Sequence, residues 1–202
     1  MPLKALALNC TLKSGEEPSS TDKILTELLR ALSRHDVAAG EIIRVADHDV
    51  KPGVKSDEGP GDAWPKIREK ILDTQILVIG TPIWLGQPSS VCKRVLERMD
   101  AFLSEKDEQG RMVSYGRVAL VAVVGNEDGA HHVSAEAFQA LNDVGFTIPA
   151  NGMTYWVGEA MGSVDYKDLK TPREVVANAT AMAARNAAHL AALLTKSAYP
   201  GE

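Results

Sequence analysis

Between Asn9 and Thr21 the chain gathers hydroxyl side chains at Thr11, Ser14, Ser19, Ser20 and Thr21 and one cation, Lys13, just ahead of a segment with helical spacing. Free backbone N–H groups at a helix N-terminus, reinforced by the helix dipole, suit a phosphate dianion. The same residues also suit a plain solvated loop that ends in an N-cap. Neither GxxxxGK nor GxGxxG occurs, so the Walker A and Rossmann dinucleotide readings lose their signature. A second stretch, Thr81-Pro82-Ile83-Trp84-Leu85-Gly86, follows the most apolar run of the chain. An aromatic, apolar loop at the end of a buried strand fits a flat apolar ligand, or else Trp84 packs beneath residues 47–63. The third stretch, Gly125 to His132, offers Asn126, Glu127 and Asp128 between glycines and then His131 and His132. Polar groups on such a turn can pair with the edge of a heterocycle. Adjacent histidines diverge, so a metal would find at most a pair such as Asp128 with His132, and no metal is expected.

Positioning these stretches requires particular elements. Leu3 to Asn9, Glu41 to Ala46, Gln75 to Gly80 and Arg117 to Val124 read as strands, three of them as continuous apolar runs suited to burial on both faces. Between them, helical spacing marks segments from Thr21 to Leu32, Pro65 to Asp73, after Ser90, and up to Leu141. Gly145 to Ala150 reads as a short fifth strand. An irregular arm then runs over residues 151–170, and Thr171-Pro172-Arg173-Glu174 predicts a capping box that opens a last, alanine-rich helix over 172–194. Residues 47–63, dense in Asp, Gly, Pro and Lys, form a long connection of the kind that is usually functional or mobile. Strands alternating with helices predict a single α/β domain, a parallel sheet between helices on both faces. In such sheets a ligand lies at the carboxyl ends of the strands, where the three stretches above fall.

The composition narrows the function. The chain has 202 residues with a net charge of −5 and no clustered basic stripe, which argues against nucleic acid as a partner. No apolar stretch approaches the roughly 20 residues that span a bilayer, and the first apolar run is too short for a signal peptide, so a cytoplasmic protein without a membrane partner is expected. Two cysteines, Cys10 and Cys92, are too few for a disulfide framework or an iron–sulfur cluster held by cysteine alone.

Taken together, the three stretches resemble the flavodoxin-like NAD(P)H-dependent FMN reductase and quinone reductase superfamily. The resemblance implies a three-layer αβα sandwich with five parallel strands in the order 2-1-3-4-5. It implies that Thr11, Lys13, Ser19, Ser20 and Thr21 hold the FMN phosphate, with residues 14–18 as an insertion. Pro82, Ile83, Trp84, Leu85 and Gly86 would wrap the isoalloxazine ahead of a helix that carries Lys93. Gly125, Asn126, Glu127 and Asp128 would meet the ring edge. Backbone N–H groups near Trp84 and Asn126 would tune the flavin, and one ring face would stay open to NADPH or NADH and to a quinone, flavin or similar small-molecule electron acceptor. No side chain of the sequence is singled out as catalytic, and a homo-oligomer, dimer or tetramer, is an expectation of the resemblance. A flavodoxin-type electron carrier without turnover is the alternative. A phospho-receiver lacks its acceptor Asp after the central strand, and a hydrolase lacks its GxSxG elbow.

Overall fold

The computed structural model describes residues 2–38 and 40–201. Five parallel strands form its sheet: β1 (Ala5–Asn9), β2 (Glu41–Arg44), β3 (Ile76–Trp84), β5 (Val118–Gly125) and β6 (Met153–Val157). Their order is β2-β1-β3-β5-β6, while the two-residue β4 (Gln87–Pro88) folds back antiparallel on the end of β3. The flavodoxin-like order expected for five parallel strands is therefore present. Leu6, Leu8, Leu77 and Ile79 point to one face, where α2 (Trp64–Leu72), α3 (Ser90–Met99) and α4 (Ala130–Asp143) close over them. Ala5, Ala7, Ile76 and Val78 point to the other, beneath α1 (Ser20–Leu32) and α5 (Glu174–Lys196). Small residues govern that second face. Ala183, Ala184, Ala187 and Ala191 of α5 are fully buried, and a Cβ at Gly80 would lie 2.6 Å from the Leu25 side chain. The absence of side-chain bulk lets α1 lie close to the sheet, which brings its N-terminus to the strand ends.

Two expectations are corrected. The fifth strand is Met153–Val157 rather than Gly145 to Ala150, where Thr147 alone bridges to Val118. As an edge strand it alternates, with Thr154 and Trp156 buried and Met153, Tyr155 and Val157 half-buried, so it lacks the continuous apolar run that marks its neighbours. Helix α5 begins at Glu174 without a capping box, because Arg173 is itself extended (φ −61°, ψ 145°) and Thr171 lies too far back to cap. Residues 47–63 do not line the cleft at the strand ends. They wrap around a fully buried ion pair, Arg98 to Asp62 at 2.8 Å, in which Arg98 also donates to the carbonyls of Lys51 and Lys55. Asp62 accepts from the backbone N–H groups of Lys51, Glu58 and Trp64. Burial alone would raise the Asp62 pKa, but Arg98 and these three donors outweigh it and hold the carboxyl well below the usual range.

Candidate functional site

The carboxyl ends of β1, β3 and β5 open into a cleft of about 560 Å³. On one side stands α1, capped by Ser19, whose Oγ accepts from the Asp22 N–H. Thr11, Lys13, Ser19, Ser20 and Thr21 all line the cleft here. The turn before the helix is fixed from below: the Thr11 N–H donates to Asn9 Oδ1 at 3.1 Å, and Asn9 Nδ2 donates to Asp22 at 3.2 Å. The inserted residues 14–18 are held away from the cleft. Arg44, at the end of β2, donates to the carbonyls of Gly15 and Glu17, and the Gly15 N–H donates to Asp47. Lys13 sits between the two parts, donating to the Pro18 carbonyl at 3.1 Å and pairing with Glu17.

The opposite wall is a β-hairpin tip. Leu85 (φ +53°) and Gly86 (φ +74°) form its two-residue turn, both in the left-handed region that such turns require. Trp84 is 54 % and Leu85 91 % exposed, so Trp84 does not pack beneath residues 47–63; the tryptophan buried there is Trp64. Glu127 braces the tip, its carboxylate accepting from the N–H groups of Leu85 at 3.1 Å and Gly86 at 3.0 Å. The turn N–H groups expected to tune a ligand are thus engaged by protein. Gly129 must be glycine for the two loops to meet, since a Cβ would lie 3.0 Å from the Gly86 backbone and φ is +122°.

Of the residues expected at the site, Pro82, Ile83, Trp84, Leu85, Gly125, Asn126 and Glu127 join the α1 group in lining the cleft, whereas Gly86 and Asp128 do not. Asp128 turns back to accept from the Gly129 N–H at 2.7 Å. His131 and His132 contact Tyr155 and Gln87 outside the cleft, and Lys93 is exposed on α3. Cys10 is wholly buried on the α3 face, where a hydrogen bond to Cys92 and then burial push its thiol pKa up.

A further wall went unread in the sequence: Trp156, Met161, Gly162 and Asp165, contributed by β6 and the arm after it. The arm is tied to both other walls. Asn126 Nδ2 donates to the Gly162 carbonyl and to Asp165 Oδ1 at 3.0 Å, and the Met161 N–H donates to the Asn126 carbonyl. Toward α1, the Lys167 N–H donates to Ser20 Oγ, Lys23 donates to the Tyr166 and Leu169 carbonyls, and the Tyr166 hydroxyl donates to Glu27. Burial, followed by the Glu27 hydrogen bond, pushes the Tyr166 pKa far up, so this phenol stays protonated. Lys167 holds the Asp165 carboxyl low. The sequence signal was the aromatic set Tyr155, Trp156 and Tyr166, which periodicity alone could not link to the strand ends.

The residues fit a phosphorylated, flat, polyfunctional ligand. Helix N–H groups and hydroxyls stand at one end and apolar walls at the other, and two lining residues, Asn126 and Trp156, each bury a polar atom, Oδ1 and Nε1, that has no protein partner. The family model of NADPH-dependent FMN reductases matches residues 3–162. The chain belongs to that family. Its members are NAD(P)H-dependent flavoprotein oxidoreductases. This flavin reductase homologue is 31% identical, over 98% of its length and 81% of the relative's, to 8-demethyl-8-aminoriboflavin-5'-phosphate synthase of Streptomyces davaonensis. It superimposes with a TM-score of 0.89 and 31% identity on RosB bound to 8-demethyl-8-formylriboflavin-5'-phosphate, covering 98% of this chain and 82% of that one. It is also 38% identical to the divalent metal cation transporter MntH of Mycobacterium bovis, but spans only a quarter of that protein. An NADH:FMN oxidoreductase, EMOB (TM-score 0.61, 18% identity, 95% of this chain and 89% of that one), shares the fold.

Proposed function

We propose that this reductase homologue holds FMN in the cleft and passes electrons from NADPH or NADH to a quinone, a free flavin or a similar small acceptor. When bound, FMN supplies hydride acceptance and onward electron transfer. The N–H groups of the first turn of α1, with Thr11, Ser19, Ser20 and Thr21, hold the phosphate, and Lys13 adds the positive charge. Pro82, Ile83 and Trp84 form apolar walls for the ring and keep water from it, while Glu127 holds the hairpin tip in place. The observation that carries the reading is the single cleft that joins a helix N-terminus to an apolar aromatic tip. An absorption spectrum taken with FMN, and then with NADH or NADPH under anaerobic conditions, tests it. Bleaching of a bound-flavin spectrum is expected; binding without bleaching would favour an electron carrier, and no binding would refute the reading.

A second reading has its own support in the likeness, at 31% identity over nearly the whole chain, to a synthase whose name describes a changed flavin. On that reading the flavin phosphate is itself the substrate. The mass of flavin recovered after turnover separates the two, since a reductase returns it unchanged.

The cleft mouth is ringed by exposed apolar side chains, Leu12, Trp84, Leu85 and Met161. This supports, as a further part of the proposal, a homo-oligomer that covers them, which sedimentation equilibrium would test. No helix among the described residues is long and apolar enough to cross a membrane, and a cytoplasmic location is proposed with the rest.

A further inference from the structure

Asn151 and Gly152 form the chain's one Asn-Gly pair, and they sit in the turn that feeds β6. Asn151 is exposed and lies in the left-handed region at φ +55°, a conformation that its short polar side chain accepts more readily than other residues do. Gly152 is buried, and nothing larger fits there, since a Cβ would lie 2.9 Å from the Pro149 carbonyl oxygen. The turn is pinned on both sides of the pair. Asn186 of α5 donates through Nδ2 to the Ala150 carbonyl at 2.8 Å, and the Val121 N–H of β5 donates to the Gly152 carbonyl at 3.0 Å. Between these two anchors, the Asn151 side-chain amide and the Gly152 N–H have no hydrogen-bond partner among the described residues.

From this arrangement we propose that Asn151 is a site of spontaneous deamidation, a covalent modification that acts on the first rung of β6. The Gly152 amide nitrogen attacks the Asn151 side-chain carbonyl carbon. The new N–C bond closes a succinimide ring, the Cγ–Nδ2 bond breaks, and the Gly152 amide proton leaves with Nδ2 as ammonia. Water then opens the imide at either carbonyl, giving aspartate or isoaspartate, and no oxidant or other co-reactant is needed. Glycine permits the attack because no side chain shields its nitrogen, and neither reacting group has to give up a protein hydrogen bond. The other five asparagines lack these conditions. Each is followed by a residue with a side chain, Asn178 and Asn186 lie inside α5, and the amides of Asn9, Asn126 and Asn142 donate to protein oxygens. The modification bears on the sheet because of where it lengthens the backbone. Isoaspartate carries the main chain through the side-chain carbon, directly ahead of the Gly152 carbonyl that receives Val121, and it adds a negative charge next to the Asn186–Ala150 bond. Edge strand β6 has a single neighbour, so no second strand holds this rung. Asn151 lies outside the cleft lining, and the inference holds whatever the cleft binds.

The test is peptide mapping by mass spectrometry of the folded wild type aged at pH 7 and at pH 9, with the urea-unfolded chain aged alongside. The peptide that contains residues 151–152 should gain about 1 Da before any other asparagine peptide does, and should contain isoaspartate. The gain should be faster at pH 9, because the attacking nitrogen must lose its proton. Hydrogen exchange at the Val121 amide should be severalfold faster in the aged protein than in the fresh one. Asn151→Gly, which suits φ +55° and cannot cyclise, should age without either change. Modification of the unfolded chain alone would show that the folded turn shields Asn151, and modification of neither would show that the pair is inert; either result overturns the site. A modified Asn151 with Val121 exchange unchanged would overturn its effect on β6.

Discussion

Two irregular segments of similar composition have opposite fates in this molecule. Residues 47–63 and the arm after β6 are both rich in Gly and Asp, and each carries an aspartate paired with a cation. In the first, the side chains of Asp62 and Arg98 are wholly buried, the carboxylate is held by protein donors, and the segment closes on the fully buried Trp64, whose Nε1 has no partner but lies outside the cleft lining. In the second, Asp165 and Lys167 remain partly exposed and Met161 is 95 % exposed. The arm also borders the cleft, and two residues of the lining, Asn126 and Trp156, each carry a buried polar atom without a protein partner, Oδ1 and Nε1. The difference teaches how a long loop divides its labour. A segment that centres its polar groups on an internal ion pair is scaffold, and one that closes over unpaired groups lining a cleft is prepared for a ligand.

Breaking the internal pair should give the largest effect. Arg98→Met leaves Asp62 buried without its cation, and urea unfolding at pH 7 should report a loss of about 3–5 kcal/mol. The pH dependence should weaken. In the wild type the depressed Asp62 pKa contributes stability that is present above its unfolded value, near about 4, and is lost as pH falls through the folded one. In the variant the Lys51, Glu58 and Trp64 N–H groups still hold the carboxylate but Arg98 no longer does, so the loss of stability as pH falls from 7 toward 4 should be smaller than in the wild type. A variant whose stability falls with pH as steeply as that of the wild type would show that Arg98 does not hold the Asp62 carboxyl low.

Much of the scaffold was legible in the sequence, and the reason is physical. Strands buried on both faces, such as Ile76–Gly80 and Val118–Val124, are continuous apolar runs, and the α1 and β3 loops carry their chemistry in consecutive residues. The arm was illegible because its parts act at a distance. Thr154 and Trp156 alternate with half-buried neighbours, and Asp165 and Lys167 acquire meaning only when the chain returns to Asn126 and Ser20. Arg98 and Asp62, 36 positions apart, were hidden in the same way: an arginine on a helix face reads as solvated until a loop folds over it.

The arm itself should respond more mildly. Tyr166→Phe removes the hydroxyl that donates to Glu27 while keeping the ring against Trp156, so a stability loss of about 1 kcal/mol is expected. If the arm is a wall of the site, FMN affinity should fall with it by a few fold. If the arm is only a cover, stability will fall while affinity holds. Glu127→Gln tests the opposite wall. One oxygen remains to accept from the Leu85–Gly86 turn and the charge is lost, so FMN should bind roughly threefold more weakly with little change in unfolding.

The smallest effect belongs to the charge that both walls feel. Lys13 lines the cleft beside α1, and its field also helps to keep Asp165 ionised across from it. Its ammonium is partly exposed and already shared with Glu17 and the Pro18 carbonyl, so only part of its charge is free for a ligand. Lys13→Gln should therefore weaken FMN by about two- to threefold at low ionic strength, and the difference should shrink in 0.5 M salt as screening shortens the reach of the charge. Riboflavin, which lacks the phosphate, should bind both forms alike. A salt-independent loss shared by riboflavin would mean that Lys13 shapes the turn rather than attracting the phosphate, and that the anion pole of the cleft rests on the α1 N–H groups and hydroxyls alone.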